Sequence, residues 1–395
     1  MKNIPVISFL KLRASWGTLG NERIGNYPYQ STIAFANTLF YQGTNVVAAQ
    51  TAAQTQYAIR DISWETTQST DFGMDIHLFD NKLRLSGDYF NKTTKDMLLA
   101  LEIPDYIGFD NPDQNTGKMS TKGWEAEVNW NDKIGDFGYS ISANVSDFKS
   151  KMGDLGGTQF IGDQIKKQGS EFNEWYGYRS NGLFQTAEDL AASAKLGNNQ
   201  KVGDVKYMDL SGPDGIPDGK ISPEYDRVLL GGSLPRFLYG TSIKMDYKNF
   251  DFGFAFQGVG KINVRQSGLM ITPMAANWGN VPKILDGTSW SKYNTEAQNL
   301  AAKYPRYSYT NAGTNYAMSD YWLINGAYLR LKNVTLGYTL PASLTKKANI
   351  QSVRIYASGS DLFTIDNYPT GWDPEVSESG YPITSTFLVG LSVSF

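Results

Sequence analysis

The last fifteen residues, 381-YPITSTFLVGLSVSF-395, alternate apolar and small side chains. A β-strand turns successive side chains to opposite faces, so this stretch predicts a strand with one apolar face and one mostly polar face. The apolar face comprises Phe387, Val389, Leu391, Val393 and Phe395, and the other comprises Thr386, Leu388, Gly390, Ser392 and Ser394. A soluble sandwich can also end on such a strand, so the other segments of the chain decide the fold.

The same alternation recurs upstream and predicts about ten strands in all. The other nine segments are residues 10–16, 70–78, 83–89, 124–130, 137–145, 237–247, 250–256, 328–340 and 353–359. Tight turns, such as Asp80-Asn81-Lys82 and Lys248-Asn249, join some of them. Other connections are long, and the longest runs from residue 150 to 235. Short turns that alternate with long loops are typical of bacterial outer-membrane barrels, whose long loops are extracellular.

The two faces of these strands differ in charge. The apolar faces carry no charged side chain, whereas Asp, Glu, Lys and Arg recur on the opposite faces. A Lys or Arg that faces lipid at mid-membrane costs about 2–4 kcal/mol, so the uncharged faces favour contact with lipid. Aromatic residues near strand ends, such as Trp16, Tyr89 and Trp130, are typical of interfacial girdles. The sequence therefore predicts an all-β fold, a transmembrane antiparallel β-barrel, with a soluble array of β-sandwiches as the alternative.

Two segments are predicted to depart from this plain pattern. In residues 328–340 the apolar positions shift from odd numbers, at Leu329 and Leu331, to even numbers, at Val334 and Leu336, which indicates a β-bulge. In the longest loop, residues 186–196 read TAEDLAASAKL. A threonine cap followed by acidic residues in the first turn predicts a short helix there.

Composition argues against several classes of function. The formal net charge is −3 and no basic run is present, so nothing indicates a nucleic-acid partner. The chain has no cysteine and one histidine, which argues against a thiolate metal site, a cysteine nucleophile or a histidine-based triad. No segment approaches the ~20 apolar residues of a membrane helix. No signal peptide follows Met1, so we expect a fragment of a longer protein.

Seven segments form a further pattern that runs in order along nearly the whole chain. They are residues 10–21 (LKLRASWGTLGN), 64–75 (WETTQSTDFGMD), 203–209 (GDVKYMD), 321–341 (YWLINGAYLRLKNVTLGYTLP), 353–363 (VRIYASGSDLF), 373–375 (DPE) and the terminal Phe395. As a set, these segments resemble the SusC/RagA family of TonB-dependent outer-membrane transporters from Bacteroidetes-type bacteria.

This resemblance implies a 22-stranded barrel that is filled by an N-terminal plug and covered by a SusD-like surface lipoprotein. Such a pair imports oligosaccharides or peptides with energy from TonB, which contacts the plug. Residues 1–395 match the C-terminal part of the barrel, so we expect about ten of its strands, without the plug and the N-terminal strands. The expected location is the outer membrane of a Gram-negative bacterium, in contact with its lipid. The expected role is binding and passage rather than catalysis.

One segment of the longest loop is a candidate metal site. Residues 209–221 read DLSGPDGIPDGKI and end in a DG-x-I pattern that resembles calcium loops. Hard cations prefer several oxygen ligands on a glycine-containing turn. The candidate ligands for Ca²⁺ are Asp209, Asp214, Asp218 and Asp226. Two prolines interrupt the spacing, and Tyr225 stands where an EF-hand has its bidentate glutamate, so a stack of Asx and glycine turns is the alternative.

Aromatic clusters in the long loops are candidate ligand or partner contacts. Flat rings suit stacking on sugar faces and also burial at interfaces. The candidates are Trp175, Tyr176, Tyr178, Trp278, Trp290, Trp322 and Trp372. Loop packing is the alternative role, especially for residues 175–178 and 372–375. We expect the long loops after Ser150 and Val259 to contact the lid lipoprotein.

Polar residues on the strands give weaker functional signals. Glu125 and Glu127 lie two apart on one strand face, which allows a carboxylate pair of the glycosidase kind. His77 is expected to face the lumen near the short-turn end as a solvated wall residue. No second element of the sequence converges on either position, so both are predicted to line the lumen. The competing functions are a passive outer-membrane porin or adhesin and a barrel-embedded hydrolase.

Overall fold

The computed structural model describes residues 6–22, 29–54, 58–100, 105–156, 160–268, 271–273, 280–308, 312–346, 349–376 and 380–395. The first strands are β1 (Ile7–Asn21), β2 (Ile33–Gln42), β3 (Asn45–Gln54), β4 (Glu65–Leu78), β5 (Leu83–Ala100), β6 (Asp113–Ile134), β7 (Phe137–Met152), β8 (Phe160–Ile161), β9 (Gln164–Lys166), β10 (Glu174–Tyr178), β11 (Ser180–Leu183) and β12 (Val205–Tyr207). They are followed by β13 (Arg227–Gly231), β14 (Arg236–Tyr247), β15 (Phe250–Lys261), β16 (Asn263–Arg265), β17 (Leu323–Asn325), β18 (Tyr328–Thr339), β19 (Ser352–Asp366) and β20 (Thr386–Ser394). The short helices are α1 (Ala187–Ala192), α2 (Glu296–Leu300), α3 (Ala312–Asn315) and α4 (Ala342–Thr345), with 3₁₀ turns at Asp105–Ile107, Lys283–Leu285 and Asp320–Trp322.

One sheet of ten strands forms the wall, in the order β1-β4-β5-β6-β7-β14-β15-β18-β19-β20. Adjacent strands in this order are antiparallel. The C-terminal segment is its last strand, since β20 pairs with β19 through Phe387 and Gly359. These pairings confirm the predicted all-β fold and its ten wall strands.

Short turns lie at one end of the sheet and long loops at the other. Residues 79–82 join β4 to β5, and Phe79, Asp80 and Asn81 all have positive φ. Asp and Asn tolerate this left-handed conformation better than most residues, so the chain reverses within a few positions. The other end carries the connections 22–64, 101–112, 153–235, 262–327 and 367–385. The predicted alternation of short and long connections is confirmed.

An uncovered apolar face runs along the outside of the wall. Phe387 and Val389 are 79% and 80% exposed, although both are strand residues. The same face carries further exposed apolar side chains: Leu12, Trp16, Phe72, Tyr89, Phe250, Leu336 and Ile355. A soluble β-sandwich would bury this face under a second sheet, and no such sheet covers it in the described ranges. The face is therefore suited to lipid.

The predicted bulge and helix are both present, and the helix is shorter than predicted. The register of β18 and β19 shifts between Leu331 and Asn333, which confirms the bulge. Helix α1 starts after its cap Thr186 and ends at Ala192 rather than near residue 196. The Ser193 hydroxyl donates to the Asp189 carbonyl at 2.8 Å, and the backbone of Ser193 is extended. A serine that bonds to the backbone in this way competes with continuation of the helix.

The first long connection contains a hairpin that the sequence did not predict. Strands β2 and β3 pair along their whole length, and Gly43 has a φ of +66° in the turn between them. Apolar and small side chains occur on both faces of this hairpin, so the period of two that reveals a half-buried strand is weak here.

The main hydrophobic core lies in the long loops rather than in the wall. The loop core, as we name it, comprises Tyr178, Leu183, Val205, Tyr207, Ile221, Ile271, Leu285, Tyr304 and Trp322. Residues 153–235 and 262–327 both contribute, so the two loops fold as one unit. Small sheets frame this unit, in the orders β13-β10-β9-β8, β11-β12 and β16-β17.

None of the helices in the described ranges is both long and apolar enough to cross a bilayer.

Candidate functional site

Charged side chains on the inner face of the wall form ion pairs that cross an intervening strand. Arg13 Nη2 on β1 lies 2.8 Å from Asp88 Oδ2 on β5 and 3.1 Å from Asp75 Oδ1 on β4. The pair to Asp88 crosses β4 at Gly73, which is paired with both residues. A Cβ at Gly73 would lie 2.2 Å from Asp88 Oδ1. Only glycine therefore leaves room for this bridge.

Strands β15, β18 and β19 repeat the arrangement. Arg354 Nε on β19 donates to Asp251 Oδ1 on β15 at 2.8 Å. The intervening strand carries Gly337 opposite Asp251, where a Cβ would lie 2.3 Å from Asp251 Oδ1. Two bridges of this kind tie alternate strands together and pair charges on the inner face. The alternating sequence located these residues on the inner face but did not reveal their partners.

We expect Gly73→Val to destabilise the wall by up to about 1 kcal/mol, because the new side chain displaces the ion pair between the partly exposed Arg13 and Asp88. Gly17→Val on β1 is the matched control, since a Cβ at Gly17 meets nothing within 4 Å. The urea midpoint of the refolded protein in lipid vesicles measures both effects. Equal shifts for the two variants would contradict the role of Gly73.

Trp322 lies at the centre of the loop core and is 1% exposed. Its Nε1 donates to the Asn315 carbonyl at 2.7 Å, and its ring stacks on Tyr316 with 4.9 Å between centroids. The Tyr321 ring meets it edge-on at 5.1 Å. Burial raises the pKa of the Tyr316 and Tyr321 phenols above the ordinary value. These aromatic side chains are therefore packed against one another in the interior of the loops.

Burial therefore favours loop packing, the alternative role, over ligand contact for Trp322 and Tyr178. Tyr178 is 6% exposed, and its ring lies 5.4 Å from Tyr207. Its backbone N–H donates to the Met318 carbonyl at 2.9 Å. Neither ring has a free face, because the two loops bury both of them. The aromatic clusters in the sequence did not distinguish interior rings from exposed ones.

Trp175 and Tyr176 are half-buried and connect neighbouring parts of the loops. Trp175 Nε1 donates to the Asn263 carbonyl at 2.8 Å, which ties β10 to β16. The Arg227 guanidinium lies 4.6 Å from the centroid of the Tyr176 ring, and Lys167 Nζ lies 5.8 Å from it. Both aromatic residues thus have packing partners, and their role as ligand contacts stays a prediction.

Trp290 differs from the other candidates because it lines an open cavity. The cavity has a volume of about 690 Å³. Its wall includes Lys201, Leu285, Tyr293, Arg306 and Tyr307. The sequence analysis did not single out these five residues, since they come from three separate stretches of the chain.

Trp372 is half-buried beside the loop core, and Trp278 lies outside the described residues. The neighbouring Asp373 joins the last long loop to the wall. Arg330 Nη2 on β18 lies 2.8 Å from Asp373 Oδ1, and its Nε donates to Thr364 Oγ1 at 2.8 Å. Glu375 adds a second carboxylate, 3.1 Å from Lys332 Nζ. This network anchors residues 367–376 to the top of β18.

The Asp373 carboxyl makes this anchor sensitive to acid. Burial raises the pKa of Asp373, but the backbone N–H of Glu375, the Arg330 guanidinium and the backbone N–H of Ile383 outweigh it, so the pKa lies below its usual value. A lowered pKa stabilises the folded state above the unfolded pKa of about 4, and this stabilisation is lost as pH falls through the lower folded value.

We therefore expect residues 367–376 to resist pepsin near pH 4 and to become cleavable as pH falls further. Mass spectrometry of the fragments measures the change. Asp373→Asn is the control, because it removes the Asp373 carboxyl and leaves Glu375 as the carboxylate of the anchor, so cleavage of this segment should depend less on pH than in the wild type. A wild-type segment that is equally resistant from pH 4 to pH 2 would contradict the anchor.

Three of the four aspartates of the candidate metal loop accept hydrogen bonds within turns. Asp226 is fully buried, and its Oδ1 accepts from Leu210 N at 2.8 Å while its Oδ2 accepts from Ser222 N at 2.7 Å. Asp209 accepts from Gly219 N at 2.6 Å and Asp218 from Lys220 N at 3.0 Å. Asp214 lies on the exposed part of the loop.

No group of three or more acidic or histidine side chains is arranged to hold a metal ion within the described ranges. The geometry favours the alternative of stacked Asx turns. Calcium binding by this loop stays a prediction, which calorimetry of the folded protein with CaCl₂ would check.

The remaining candidates lie on the inner face of the wall. His77 is paired with Arg84 beside the short turn, and its Nδ1 lies 3.0 Å from Asn81 Oδ1. Glu127 accepts from Asn129 Nδ2 at 2.7 Å. Glu125 and Glu127 both line an open groove of about 330 Å³ on the wall.

Comparison with known proteins places this arrangement in a family. The sequence model described as "TonB dependent receptor-like, beta-barrel" matches residues 6–362. TonB-dependent receptor P3 of Formosa agariphila is 31% identical, with 100% of this chain and 40% of the relative covered. TonB-dependent receptor SusC of Bacteroides thetaiotaomicron is 26% identical, with 100% and 38% covered.

A solved structure agrees in fold. One chain of the RagAB peptide transporter superposes with a TM-score of 0.77 at 23% identity, covering 100% of this chain and 42% of that chain. The chain thus spans about 40% of the length of the curated relatives that it matches. Because the family match extends over most of the sequence, the chain belongs to the TonB-dependent receptor β-barrel family.

Proposed function

We propose that this chain forms part of the barrel wall of a TonB-dependent importer in a bacterial outer membrane. The observation that carries the proposal is the asymmetry of the ten-stranded sheet. One face is apolar and exposed, the other carries paired charges, and the long loops share one end. A sheet with these features separates lipid from a polar interior and presents its folded loops outside the cell.

The proposed substrates are oligosaccharides or peptides, and the proposed partner is a SusD-like surface lipoprotein. The names of SusC and of the RagAB peptide transporter, which the chain resembles, support this class of system. In such a system TonB supplies the energy through the plug of the complete transporter. The chain itself contributes binding and passage, and we assign no catalytic step to it.

Purification of the native protein from outer membranes in mild detergent tests the assembly. We expect an intact mass near that of the full-length relatives and a co-purifying lipoprotein. Uptake of a radiolabelled oligosaccharide or peptide by cells should stop when TonB is deleted. A passive porin would keep this uptake without TonB, and an adhesin would show no uptake at all.

The proposed lid contact needs a test that spares the loop core. Removing the loop after Ser150 or the loop after Val259 would open the core that both share. Ile216→Gln and Leu300→Gln change exposed apolar side chains of these loops instead. We expect one or both variants to reduce co-purification of the lipoprotein, and undiminished recovery from the double variant would contradict a contact through these positions.

A hydrolase embedded in the wall is the competing function of a different class. Such a hydrolase would require the Glu125 carboxylate, so this competing function predicts that Glu125→Gln abolishes turnover of a glycan. We expect the wild-type protein to release no reducing sugar from the glycans that it binds. Turnover that depends on Glu125 would overturn the assignment as a transporter only.

A further inference from the structure

Hydrogen bonds join the chain segments that form the wall of the cavity beside Trp290. Trp290 N donates to the Tyr304 carbonyl at 2.9 Å, and Arg306 N donates to the Gly203 carbonyl at 2.8 Å. The Tyr307 hydroxyl donates to the Leu285 carbonyl at 3.2 Å. These bonds join the three stretches that form the wall, so the cavity is already formed. Its volume of about 690 Å³ lies within the usual range of about 300–1,000 Å³ for small-molecule sites.

Positive charge dominates the rim of this cavity. Lys201, Lys292 and Arg306 line it, and no carboxylate of a described residue does. Arg306 is already paired, since its Nε lies 2.8 Å from Oδ1 of the buried Asp204. Lys201 and Lys292 form no ion pair with a carboxylate in the described part of the chain. The ammonium groups of Lys201 and Lys292 are therefore available to bind an anion.

Flat aromatic rings form part of the apolar wall of the cavity. Trp290, Tyr293 and Tyr307 line the cavity, and Tyr293 is 85% exposed. Lys292 Nζ lies 4.9 Å from the centroid of the Tyr293 ring, which places cation and ring side by side. Trp290 Nε1 is buried and has no acceptor among the described residues.

We propose that this cavity binds a small carboxylate whose body is a flat apolar face. The carboxylate is held by Lys201 and Lys292, and the flat face stacks on the aromatic wall. Two sources share this chemistry, namely the uronate of an acidic oligosaccharide and the free C-terminus of a peptide that ends in an aromatic residue. The inference rests on the proposed import function, because import would bring such ligands to the loops. Its test measures binding alone and needs no transport.

Calorimetry of the purified protein in detergent tests the proposal with four probes. Trigalacturonate represents the acidic sugar, and maltotriose is its neutral control. N-acetyl-Ala-Ala-Phe with a free carboxylate represents the peptide, and its C-terminal amide is the control. We expect at least one carboxylate probe to bind and both neutral controls to bind at least tenfold more weakly. The probe that binds identifies the source, and binding of both supports the shared chemistry.

Variants locate the site. We expect Lys201→Gln and Lys292→Gln each to raise Kd about tenfold, because each removes a charge-assisted hydrogen bond. Lys220→Gln, an exposed lysine of the same loops outside the cavity, should leave Kd unchanged. Tyr293→Ala should weaken binding, whereas Tyr106→Ala, at an equally exposed ring elsewhere, should not.

Two results would overturn the inference. One is the absence of binding by both carboxylate probes to a protein whose circular dichroism shows an intact fold. The other is binding that Lys220→Gln weakens as much as Lys201→Gln and Lys292→Gln do. Neither result depends on TonB or on the lipoprotein, so import could still be observed in cells after this inference had failed.

Discussion

Trp322→Ala is expected to lower the stability of the loop core by about 3–5 kcal/mol, the range measured when a buried tryptophan is truncated. The residue contacts aromatic rings on several sides, and truncation removes these contacts together with the hydrogen bond to the Asn315 carbonyl. The resulting cavity would lie at the junction of the two long loops. Local unfolding should therefore expose residues from both loops together.

Hydrogen exchange with mass spectrometry measures this effect. We expect protection to fall in β11, β12 and β17, while β5 and β6 in the wall stay protected by their strand pairing. Trp64→Ala is the matched control, because the Trp64 side chain is exposed and lies outside the loop core. Trp322→Phe should fall between wild type and Trp322→Ala, since it keeps a ring and loses the donor.

Two outcomes would contradict this view of the loops. Unchanged exchange in β11 and β12 would show that Trp322 does not stabilise a core there. A parallel loss of protection in β5 and β6 would show that wall and loops unfold as one cooperative unit. In the expected outcome, the wall stays folded while the loops unfold locally. The loops would then have a free energy of unfolding that is separate from that of the wall.

Ile243→Arg is expected to cost about 2–4 kcal/mol, because it places a guanidinium on the lipid-facing side near the middle of β14. Ile243 pairs with Ile141 on β7 and with Phe254 on β15, so its neighbours across both strands are apolar. Ser242→Arg is the matched control at the adjacent position. Its side chain lies on the other face, opposite Ser142, where a charge remains in a polar environment.

Urea unfolding of the refolded protein in vesicles measures both variants, and heat-modifiable migration on gels reports the folded fraction. We expect Ser242→Arg to change the unfolding free energy by far less than Ile243→Arg does. Equal costs would mean that the apolar face does not meet lipid. A larger cost for Ser242→Arg would mean that the inner and outer faces have been assigned in the wrong order.

The wall of the protein could be predicted from local sequence. The alternation of apolar and small side chains from Phe387 to Phe395 places them on the two faces of a strand, independently of the rest of the chain. The segments 70–78 and 83–89 are joined by a short turn, so their pairing follows from proximity along the chain. The phase shift near Leu331 likewise predicted the bulge, because the shift is visible in residues that are adjacent in sequence. The family resemblance rests on the same segments.

The arrangement of the loops could not be read in this way. Ser180 N donates to Asp320 Oδ1 at 2.7 Å across 140 positions of sequence. No local periodicity in the sequence predicts such a contact. The sequence therefore did not determine which aromatic residues are exposed and which are buried. Trp322 and Tyr178 proved to be interior, whereas Trp290 lines a cavity. The hairpin of β2 and β3 was missed because both of its faces carry similar side chains.

The sequence by itself determined the all-β class, the ten wall strands, the two faces and the order of short and long connections. Each of these depends on side-chain alternation or on turn residues within a few positions. Only the tertiary structure decided that Arg13 reaches Asp88 over Gly73, that two loops share one core, and that Lys201 and Lys292 line the same cavity. The physical reason is that these contacts depend on strand register and on packing between distant segments, which no local pattern encodes.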